Sequence, residues 1–377
     1  MNRLIPELDG VRGLAVLFVL LYHSSLSPGT PSVLSNAMGL GWSGVDLFFV
    51  LSGFLITGIL METRTSGNYF SSFYARRALR ILPLYLAVLS VYFLIAMPLT
   101  HHWGYWQKWN NSMQLWYWFH LSNWWSAFHD DAPLLSHLWS LSIEEQFYLV
   151  WPVVVFLVRP SHLVHICSAM IVAPFALRLA FLHHSYPQEF LYRLTPFRLD
   201  ALAAGCLAAV ITRNPAWCAA IGARLRSLTL TALSLLLFVL LWTHSDSAYT
   251  PLMLTVGYTS LAFIYACLVF SAYFYSGSSH WLAVQLRRPF LRTFGKYSYG
   301  MYVLHIPILF YEGRFLFNIS DRIPENSRAA AWTFSIPAGV LLSFLVAQVS
   351  WHLLEKHCLR WKKHFVAEPG LSLARHH

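Results

Sequence analysis

Long apolar stretches, separated by short polar segments, recur along almost the whole chain. A helix needs about 20 mostly apolar residues to cross the hydrocarbon core of a bilayer. Stretches of about this length occur near residues 10–28, 42–62, 79–98, 140–158, 162–182, 196–212, 227–243, 251–275, 292–311 and 330–354. The pattern predicts an all-α fold: a polytopic membrane bundle of about ten transmembrane helices.

The first of these stretches has a short apolar core that resembles the apolar region of a signal peptide. Glu7 and Asp9 precede it, however, and no small-residue cleavage motif follows His23. We therefore expect this stretch to be retained as the first membrane helix.

The composition excludes an ordinary soluble domain. Hydrophobic residues make up 57% of the chain and charged residues only 11%, whereas soluble domains carry about 25% charged residues. The five cysteines are scattered, and their spacing predicts no disulfide framework. No soluble module stands out to carry the positive net charge, so binding of nucleic acid is not expected.

The basic residues predict an orientation in the membrane. If the N-terminus is cytoplasmic and the helices alternate, 18 of the 26 Lys and Arg residues lie on the cytoplasmic side and 6 lie outside, while Arg12 and Arg178 fall within spans. Cytoplasmic loops of membrane proteins carry such an excess. We therefore predict cytoplasmic termini, a transmembrane domain over 1–356 and a short basic cytoplasmic tail over 357–377.

Polar and ionisable side chains interrupt five of the spans at a similar predicted depth. Since each helical residue rises about 1.5 Å, the position in a span gives the depth. The residues in the outer half are His23, Asp46, Ser142, Glu144, Glu145, Arg198, Asp200 and His305. Ionisable groups in a membrane mostly face a bundle interior, around water or a substrate. The pattern therefore predicts one shared functional pocket.

His23, Asp46 and Arg12 are the candidate catalytic residues. Histidine suits general-base catalysis because its ordinary pKa lies close to neutral pH. A carboxylate such as Asp46 would orient the imidazole, and the pair would then activate a hydroxyl for acyl transfer. His23 would either deprotonate the acceptor hydroxyl or take the acyl group covalently.

The same three residues also have structural interpretations. His23 would hydrogen-bond a main-chain carbonyl near the end of its helix. Asp46 would sit in a first helical turn, where the helix dipole favours a carboxylate. Arg12 would extend its charged end toward the membrane surface.

The other predicted pocket residues form the acceptor side, and they have structural alternatives too. Ser142, Glu144 and Glu145 fall in a predicted first helical turn, where such residues act as caps. Arg198 and Asp200 would form a structural ion pair with each other. The convergence of five spans favours the functional interpretation.

Arg76, Arg77 and Arg80 precede the third span on the predicted cytoplasmic side. Topology and contact with lipid headgroups explain any one of them. Three arginines within five residues also suit bidentate recognition of phosphate, so we predict that they bind a phosphate-rich acyl-CoA donor. No metal site is predicted, because the adjacent histidine pairs lack the spacing of a zinc motif.

Six sequence blocks together resemble the acyltransferase 3 family of bacterial multi-pass membrane proteins. They are ELDGVRG (7–13) with His23, GVDLFFVLSGFLI (44–56), RALRILP (77–83), WSLSIEEQFY (139–148), RLDAL (198–202) and YSYGMYVLH (297–305). The resemblance extends over nearly the whole chain.

The resemblance implies an O-acyltransferase that moves an acyl group, often acetyl, from cytoplasmic acyl-CoA to a hydroxyl of a cell-surface or exported carbohydrate. The family's Arg–His pair corresponds to Arg12 and His23, and its basic loop motif to Arg77 and Arg80. It also implies the bacterial cytoplasmic membrane as location, no permanently bound cofactor, and a carbohydrate or lipid-linked glycan acceptor. The esterase-like domain fused to some relatives is not expected, since the chain ends soon after the tenth span.

Two alternatives stay open. Similar enzymes acylate small molecules instead of polysaccharides. A proton-coupled transporter or a flippase of lipid-linked sugars would also need buried His, Asp and Glu. Transporters often contain internal repeats, and the absence of a recognisable repeat favours acyl transfer.

Overall fold

The computed structural model describes residues 5–27, 29–100, 111–132, 134–182, 184, 186–319 and 322–368. Within these ranges the chain forms helices joined by short connections, and no β-strand occurs. The predicted all-α class is confirmed.

The helices of the first half are α1 (Pro6–Ser25), α2 (Ser32–Ala37), α3 (Gly44–Thr63), α4 (Tyr69–Ser90), α5 (Met97–Thr100), α6 (Asn111–Trp118), α7 (Ser122–Ser126), α8 (Leu138–Leu157) and α9 (Pro160–Phe181). Those of the second half are α10 (Gln188–Arg193), α11 (Leu199–Thr212), α12 (Pro215–Thr243), α13 (Tyr258–Phe274), α14 (Trp281–Leu286), α15 (Pro289–Ile319), α16 (Glu325–Ser350) and α17 (Lys356–Arg360). Short 3-10 helices span Gly39–Ser43, Thr195–Phe197 and Trp361–Phe365, and π-helical turns span Val91–Ala96, Met253–Gly257 and Trp351–Glu355.

Seven helical segments in the described part of the chain are long and apolar enough to cross a membrane. They contain α3, α4, α8, α9, α12, α13 and α16. The three other predicted spans correspond to α1, α11 and α15, of which α11 has only 14 residues. The chain is therefore a multi-pass helical protein, while the number of ten spans and the orientation stay predictions.

The last of the seven segments is too long to lie wholly within a bilayer. It runs over Ser327–Phe365 and has 39 residues, about twice the length that crosses the hydrocarbon core. Its basic end, Lys356–Phe365, follows the π-helical turn Trp351–Glu355. We therefore assign this end to the region outside the span.

The short helix α11 lies at the centre of the bundle, between α3, α9 and α13. A Cβ atom at Gly205 would lie only 1.9 Å from the main-chain oxygen of Val50 in α3. The two backbones are therefore in direct contact, as small residues allow between membrane helices. This packing brings the start of α11 beside the first turn of α3.

Helices α1 and α15 form a second close pair. A Cβ atom at Gly295 would lie 1.9 Å from the main-chain oxygen of Asp9. This approach brings His23 of α1 and His305 of α15 to the same level, with ring centroids 4.9 Å apart.

The basic end of the chain packs onto the first turns of α4. Ser72 Oγ donates a hydrogen bond of 2.8 Å to the main-chain oxygen of Phe365, and Asn68 Nδ2 donates one of 2.9 Å to that of Val366. The Glu368 N–H in turn donates to Asn68 Oδ1 at 2.9 Å. Residues 357–368 of the predicted tail are thus docked on the helix that carries the arginine motif, and residues 369–377 lie outside the described part of the chain.

Candidate functional site

A cavity of about 890 Å³ enters the bundle from one face. Its lining includes Ile5 before α1, Glu62 in the last turn of α3, Arg213 after α11 and Ser276 after α13. The charge pattern assigns all of these helix ends to the cytoplasmic side. The cavity therefore belongs to the face where the sequence predicts that a donor enters.

Four arginines line this cavity: Arg12 from α1, Arg77 and Arg80 from α4, and Arg213 after α11, which is paired with Glu62. Arg12 Nη1 donates to Asp9 Oδ1 at 3.0 Å. Among the described residues, neither Arg77 nor Arg80 forms an ion pair. The Arg77 guanidinium stacks 3.8 Å above the ring of Tyr148, and its buried Nε has no hydrogen-bond partner in this part of the chain. The cavity wall thus offers cations that can bind an anion.

Arg76 differs from its two neighbours because it does not line the cavity. Helical residues three or four apart share a face, whereas adjacent residues do not. Spacing therefore allows Arg80 to share a face with Arg76 or with Arg77, and the cavity lining shows that it does so with Arg77. The structure brings two of the three predicted donor-binding arginines into the cavity.

Glu144 lines the same cavity, although the sequence analysis predicted it on the acceptor side. Its Oε1 accepts a hydrogen bond of 2.5 Å from Ser52 of α3. Glu145 does not line the cavity, and its buried Oε1 has no partner among the described residues. Since α8 begins at Leu138, both glutamates lie beyond the first turn, and the helix start has no side-chain cap. The predicted capping role is wrong.

Phe48, Ser140 and Tyr302 also line the cavity. The Ser140 and Tyr302 hydroxyls share a short hydrogen bond, and Tyr302 also donates to the main-chain oxygen of His137 at 3.0 Å. The rings of Phe48 and Tyr302 meet edge to face, with centroids 5.8 Å apart. His23 is not part of the cavity lining.

Three histidines form a cluster beyond Tyr302. The His305 ring lies 4.9 Å from the His23 ring and 4.9 Å from the His137 ring, measured between centroids. Tyr302 contacts two of them, with its ring 5.6 Å from both His137 and His305. Tyr302 therefore lies between the arginine-lined cavity and the histidine cluster.

The hydrogen bonds of the cluster define which nitrogen of each ring carries a proton. His23 Nδ1, His137 Nε2 and His305 Nδ1 each contact a main-chain carbonyl oxygen, at 2.9, 3.0 and 2.6 Å. A carbonyl oxygen only accepts, so in the neutral rings these nitrogens are the protonated ones. The lone pairs of His23 Nε2, His137 Nδ1 and His305 Nε2 are left for another donor, and the latter two are buried without a partner among the described residues.

Asp46 does not orient His23, which corrects the predicted dyad. Its Oδ1 instead accepts a hydrogen bond of 2.6 Å from Arg198 Nη2, and both side chains are buried. A buried charge is stable only when it is paired, and the contact between α3 and α11 supplies this partner. The Arg198 guanidinium also lies 4.3 Å from the centre of the Tyr258 ring.

The predicted ion pair between Arg198 and Asp200 is wrong, because each of the two side chains pairs with a residue of another helix. Asp200 accepts a hydrogen bond of 2.6 Å from Arg178 of α9. Ser142 is also engaged elsewhere, since its hydroxyl is 2.8 Å from that of Ser122. Of the predicted acceptor-side residues, only His305 therefore lies in the histidine cluster.

The family model for an acyltransferase domain, acyltransferase 3, matches residues 5–348. The chain belongs to the acyltransferase 3 family. No solved structure shows a significant match to it.

Three curated relatives of this acyltransferase 3 protein each align with 94% of its length. YrhL of Bacillus subtilis is 30% identical over 387 residues and is covered to 55%. The peptidoglycan O-acetyltransferase OatA of Listeria monocytogenes is 27% identical over 375 residues and is covered to 56%. The O-acetyltransferase OatA of Staphylococcus aureus is 30% identical over 376 residues and is covered to 57%. The chain thus spans little more than half the length of these relatives.

Sequence reasoning missed several residues at the site of this acyltransferase 3 protein. His137 lies immediately before α8, three residues ahead of Ser140, so helical spacing gave a signal that was not used. Tyr302 precedes His305 by three residues in the same way. No sequence pattern pointed to Ser52 or Lys362. Ser52 bonds Glu144 of α8, and the segment that contains Lys362 packs on α4; both partners are far away in the sequence.

Lys362 belongs to the segment at the end of the acyltransferase 3 chain that packs on α4. It is half-buried in the 3-10 helix Trp361–Phe365, outside the membrane spans. Burial, and then the charges of Arg80 and Arg77, lower the pKa of Lys362 to about 7. The neighbourhood is therefore strongly positive.

Proposed function

We propose that this protein is a membrane O-acetyltransferase of the bacterial cytoplasmic membrane. It moves an acetyl group from acetyl-CoA, bound on the cytoplasmic side, to a hydroxyl of a cell-wall or exported carbohydrate. The observation that carries the proposal is a cavity lined by Arg77 and Arg80, which form no ion pair within the described residues, and by Tyr302, whose ring contacts two histidines of the buried cluster. The name of the Listeria monocytogenes relative, peptidoglycan O-acetyltransferase, supports the acceptor class.

The cavity has the size and chemistry that an acyl-CoA donor requires. Its volume of about 890 Å³ lies within the range of about 300–1,000 Å³ typical of sites for small molecules and cofactors. Arg77 and Arg80 would bind the phosphates, because guanidinium groups match phosphate oxygens in pairs. The apolar side chains of Leu51 and Leu55 line the path of the pantetheine arm.

The chemistry of transfer follows from the lone pair on His23 Nε2. The acceptor hydroxyl gives its proton to this nitrogen while its oxygen forms a bond to the thioester carbonyl carbon. The carbon–sulfur bond then breaks, the electron pair leaves with the CoA sulfur, and the proton passes from the imidazolium to this thiolate. His305 Nε2 and His137 Nδ1 would accept hydrogen bonds from the acceptor's hydroxyl groups.

Tyr302 must move for a direct transfer of this kind. Tyr302 lines the cavity and its ring contacts His305, whose ring in turn contacts His23, which does not line the cavity. Breaking the hydrogen bonds of the Tyr302 hydroxyl costs about 1 kcal/mol each. A bound donor can readily offset this cost.

The test is acetyl transfer by the purified protein in nanodiscs, with radiolabelled acetyl-CoA and cell-wall glycan fragments. Replacing His23 with Gln should lower kcat by about 10²–10⁴-fold, the usual contribution of a general base, while acetyl-CoA still binds. His352→Gln is the matched control, because His352 Nδ1 also contacts the carbonyl four residues earlier, at 2.8 Å, but is exposed.

Three results would overturn the proposal. One is wild-type kcat in a folded His23→Gln variant. The second is wild-type protein that transfers no acetyl group to any glycan but moves a lipid-linked sugar across the bilayer, as a flippase would. The third is transfer to a small-molecule acceptor alone, with unchanged glycan acetylation in mass spectra of cells that lack the gene.

A further inference from the structure

A second cavity, of about 600 Å³, lies between helices α9, α11, α12 and α13. Ala208 and Ile211 of α11 line it, whereas Ala209 and Thr212 of the same helix line the arginine-lined cavity. Among the described residues, the two linings have no member in common. The second cavity, called the apolar cavity below, is therefore a separate site that shares α11 as a wall.

The wall of the apolar cavity offers almost no polar group to a ligand. Its larger side chains include Phe175, Leu207, Leu225, Leu235, Phe263 and Phe270. Two of its hydroxyl groups are already bonded within α13 and the turn before it. Ser260 Oγ donates to the main-chain oxygen of Val256 at 2.8 Å, and Thr259 Oγ1 to that of Thr255 at 3.3 Å. Such a wall favours a hydrocarbon, because a polar ligand would be buried there without partners.

The shape of the apolar cavity fits an extended chain. Ile221 and Leu235 of α12 both line it, and their separation in the helix corresponds to about 21 Å along the axis. The hydrocarbon core of a bilayer is about 30 Å thick. A volume of about 600 Å³ spread over such a length is long and narrow.

Helix α12 forms the outer wall of the apolar cavity and is itself loosely packed. Only four of its 29 residues are buried: Leu225, Ala232, Leu236 and Val239. Leu228 and Leu235 line the cavity but remain 41% and 46% exposed. The cavity therefore lies at the edge of the bundle, next to the bilayer, which supplies alkyl chains.

A cation stands at the end of the apolar cavity that the charge pattern assigns to the cytoplasmic side. Arg224 follows the lining residue Ile221 by three positions and precedes the lining residue Leu228 by four, so it shares their face of α12. Its side chain is exposed and forms no ion pair within the described ranges. The predicted apolar span begins at residue 227. Arg224 is therefore expected at the level of the lipid headgroups.

We propose that the apolar cavity binds an acyl chain of an anionic phospholipid, whose headgroup phosphate pairs with Arg224. Basic residues at the cytoplasmic membrane surface attract anionic headgroups, and the predicted position of Arg224 assigns this lipid to the cytoplasmic leaflet. The bound chain fills the space between α12 and its neighbours. The inference is independent of the proposed acetyl transfer.

The experiment is native mass spectrometry of the purified protein, titrated with phosphatidylglycerol or with phosphatidylcholine of identical chains. Wild type should bind its first phosphatidylglycerol about fivefold more tightly, the preference expected of one basic residue near an anionic headgroup. Arg224→Gln should remove this preference. Arg226→Gln is the matched control and should keep it, because Arg226 is also exposed but lies on another face of α12.

A second pair of variants tests the position of the chain. Leu228→Trp places a larger side chain in the apolar cavity and should weaken binding of both lipids about tenfold, as loss of contact with about two methylene groups would. Leu233→Trp is the control, since Leu233 is 43% exposed and does not line the cavity. Thermal unfolding midpoints equal to that of wild type, measured without lipid, show that the variants are folded.

Three results would overturn the inference. The first is a folded Arg224→Gln variant that still prefers phosphatidylglycerol, or an equal loss of preference in Arg226→Gln. The second is unchanged lipid affinity in Leu228→Trp, which would place the chain elsewhere. The third is a polyprenyl phosphate that displaces phosphatidylglycerol from wild type at equal concentration, which would assign the cavity to an isoprenoid chain. None of these readouts involves acetyl transfer, so they stand or fall separately from the proposed function.

Discussion

Arg198 Nη2 lies 2.6 Å from Asp46 Oδ1, and both side chains are almost fully buried. The pair joins the first turn of α3 to the residue that precedes α11. Its effect is therefore to hold two helices together at the centre of the bundle, not to orient His23. A loss of function on mutation of Asp46 would then reflect lost stability.

Asp46→Ala should destabilise the protein by about 3–5 kcal/mol, because the Arg198 charge would stay buried without a partner. Unfolding by SDS in mixed micelles measures this change. Glu62→Ala is the control, since it breaks the half-exposed pair with Arg213 at 2.7 Å and should cost less than about 1 kcal/mol. Equal losses for the two variants would contradict our assignment of a structural role to the buried pair.

Gly295→Ala should destabilise the contact between α1 and α15. The new Cβ would lie 1.9 Å from the main-chain oxygen of Asp9, and overpacking typically costs about 1–3 kcal/mol or more. Gly313→Ala on the same helix is the control, because its nearest neighbour would be 3.7 Å away, at Ser27 Oγ. The same SDS titration compares the two, and a tolerant Gly295 would mean that the helices are further apart than described.

Tyr302 should control access from the cavity to His23. In a variant without the native cysteines, Ser52→Cys lies on the cavity side of Tyr302 and should react with a membrane-impermeant thiol reagent added from that side. His23→Cys should react only when Tyr302→Ala is also present. Mass spectrometry of the labelled protein gives the readout. Labelling of His23→Cys behind an intact Tyr302 would show that the cavity already reaches the histidines.

The hydropathy pattern was sufficient to locate the long helices, because a helix that crosses a bilayer must have a minimum length and an apolar composition. All ten predicted stretches coincide with helices, although α11 is shorter than the others. The sequence grouped Arg76, Arg77 and Arg80 as one donor-binding set, and two of the three line the cavity. Hydropathy and the grouping of charged residues succeed here because both depend only on residues that are close in the sequence.

Partners across helices could not be predicted in the same way. The rise per residue gives the depth of His23 and Asp46, but it does not give the rotation of each helix about its axis. Packing decides that rotation, and it turns Asp46 toward Arg198. The docking of the C-terminal segment on α4 depends on Ser72 and Phe365, which are 293 positions apart, and no local pattern reports such a contact.

The contact between Tyr302 and Ser140 has a consequence for the energised cell. A water-filled passage from one face to the other would conduct protons and discharge the membrane potential. The interlocked hydroxyls and the edge of the Phe48 ring separate the cavity from the histidine cluster on this route. On the proposed function, the contact would let an acetyl group pass while it limits leakage of protons along the same route.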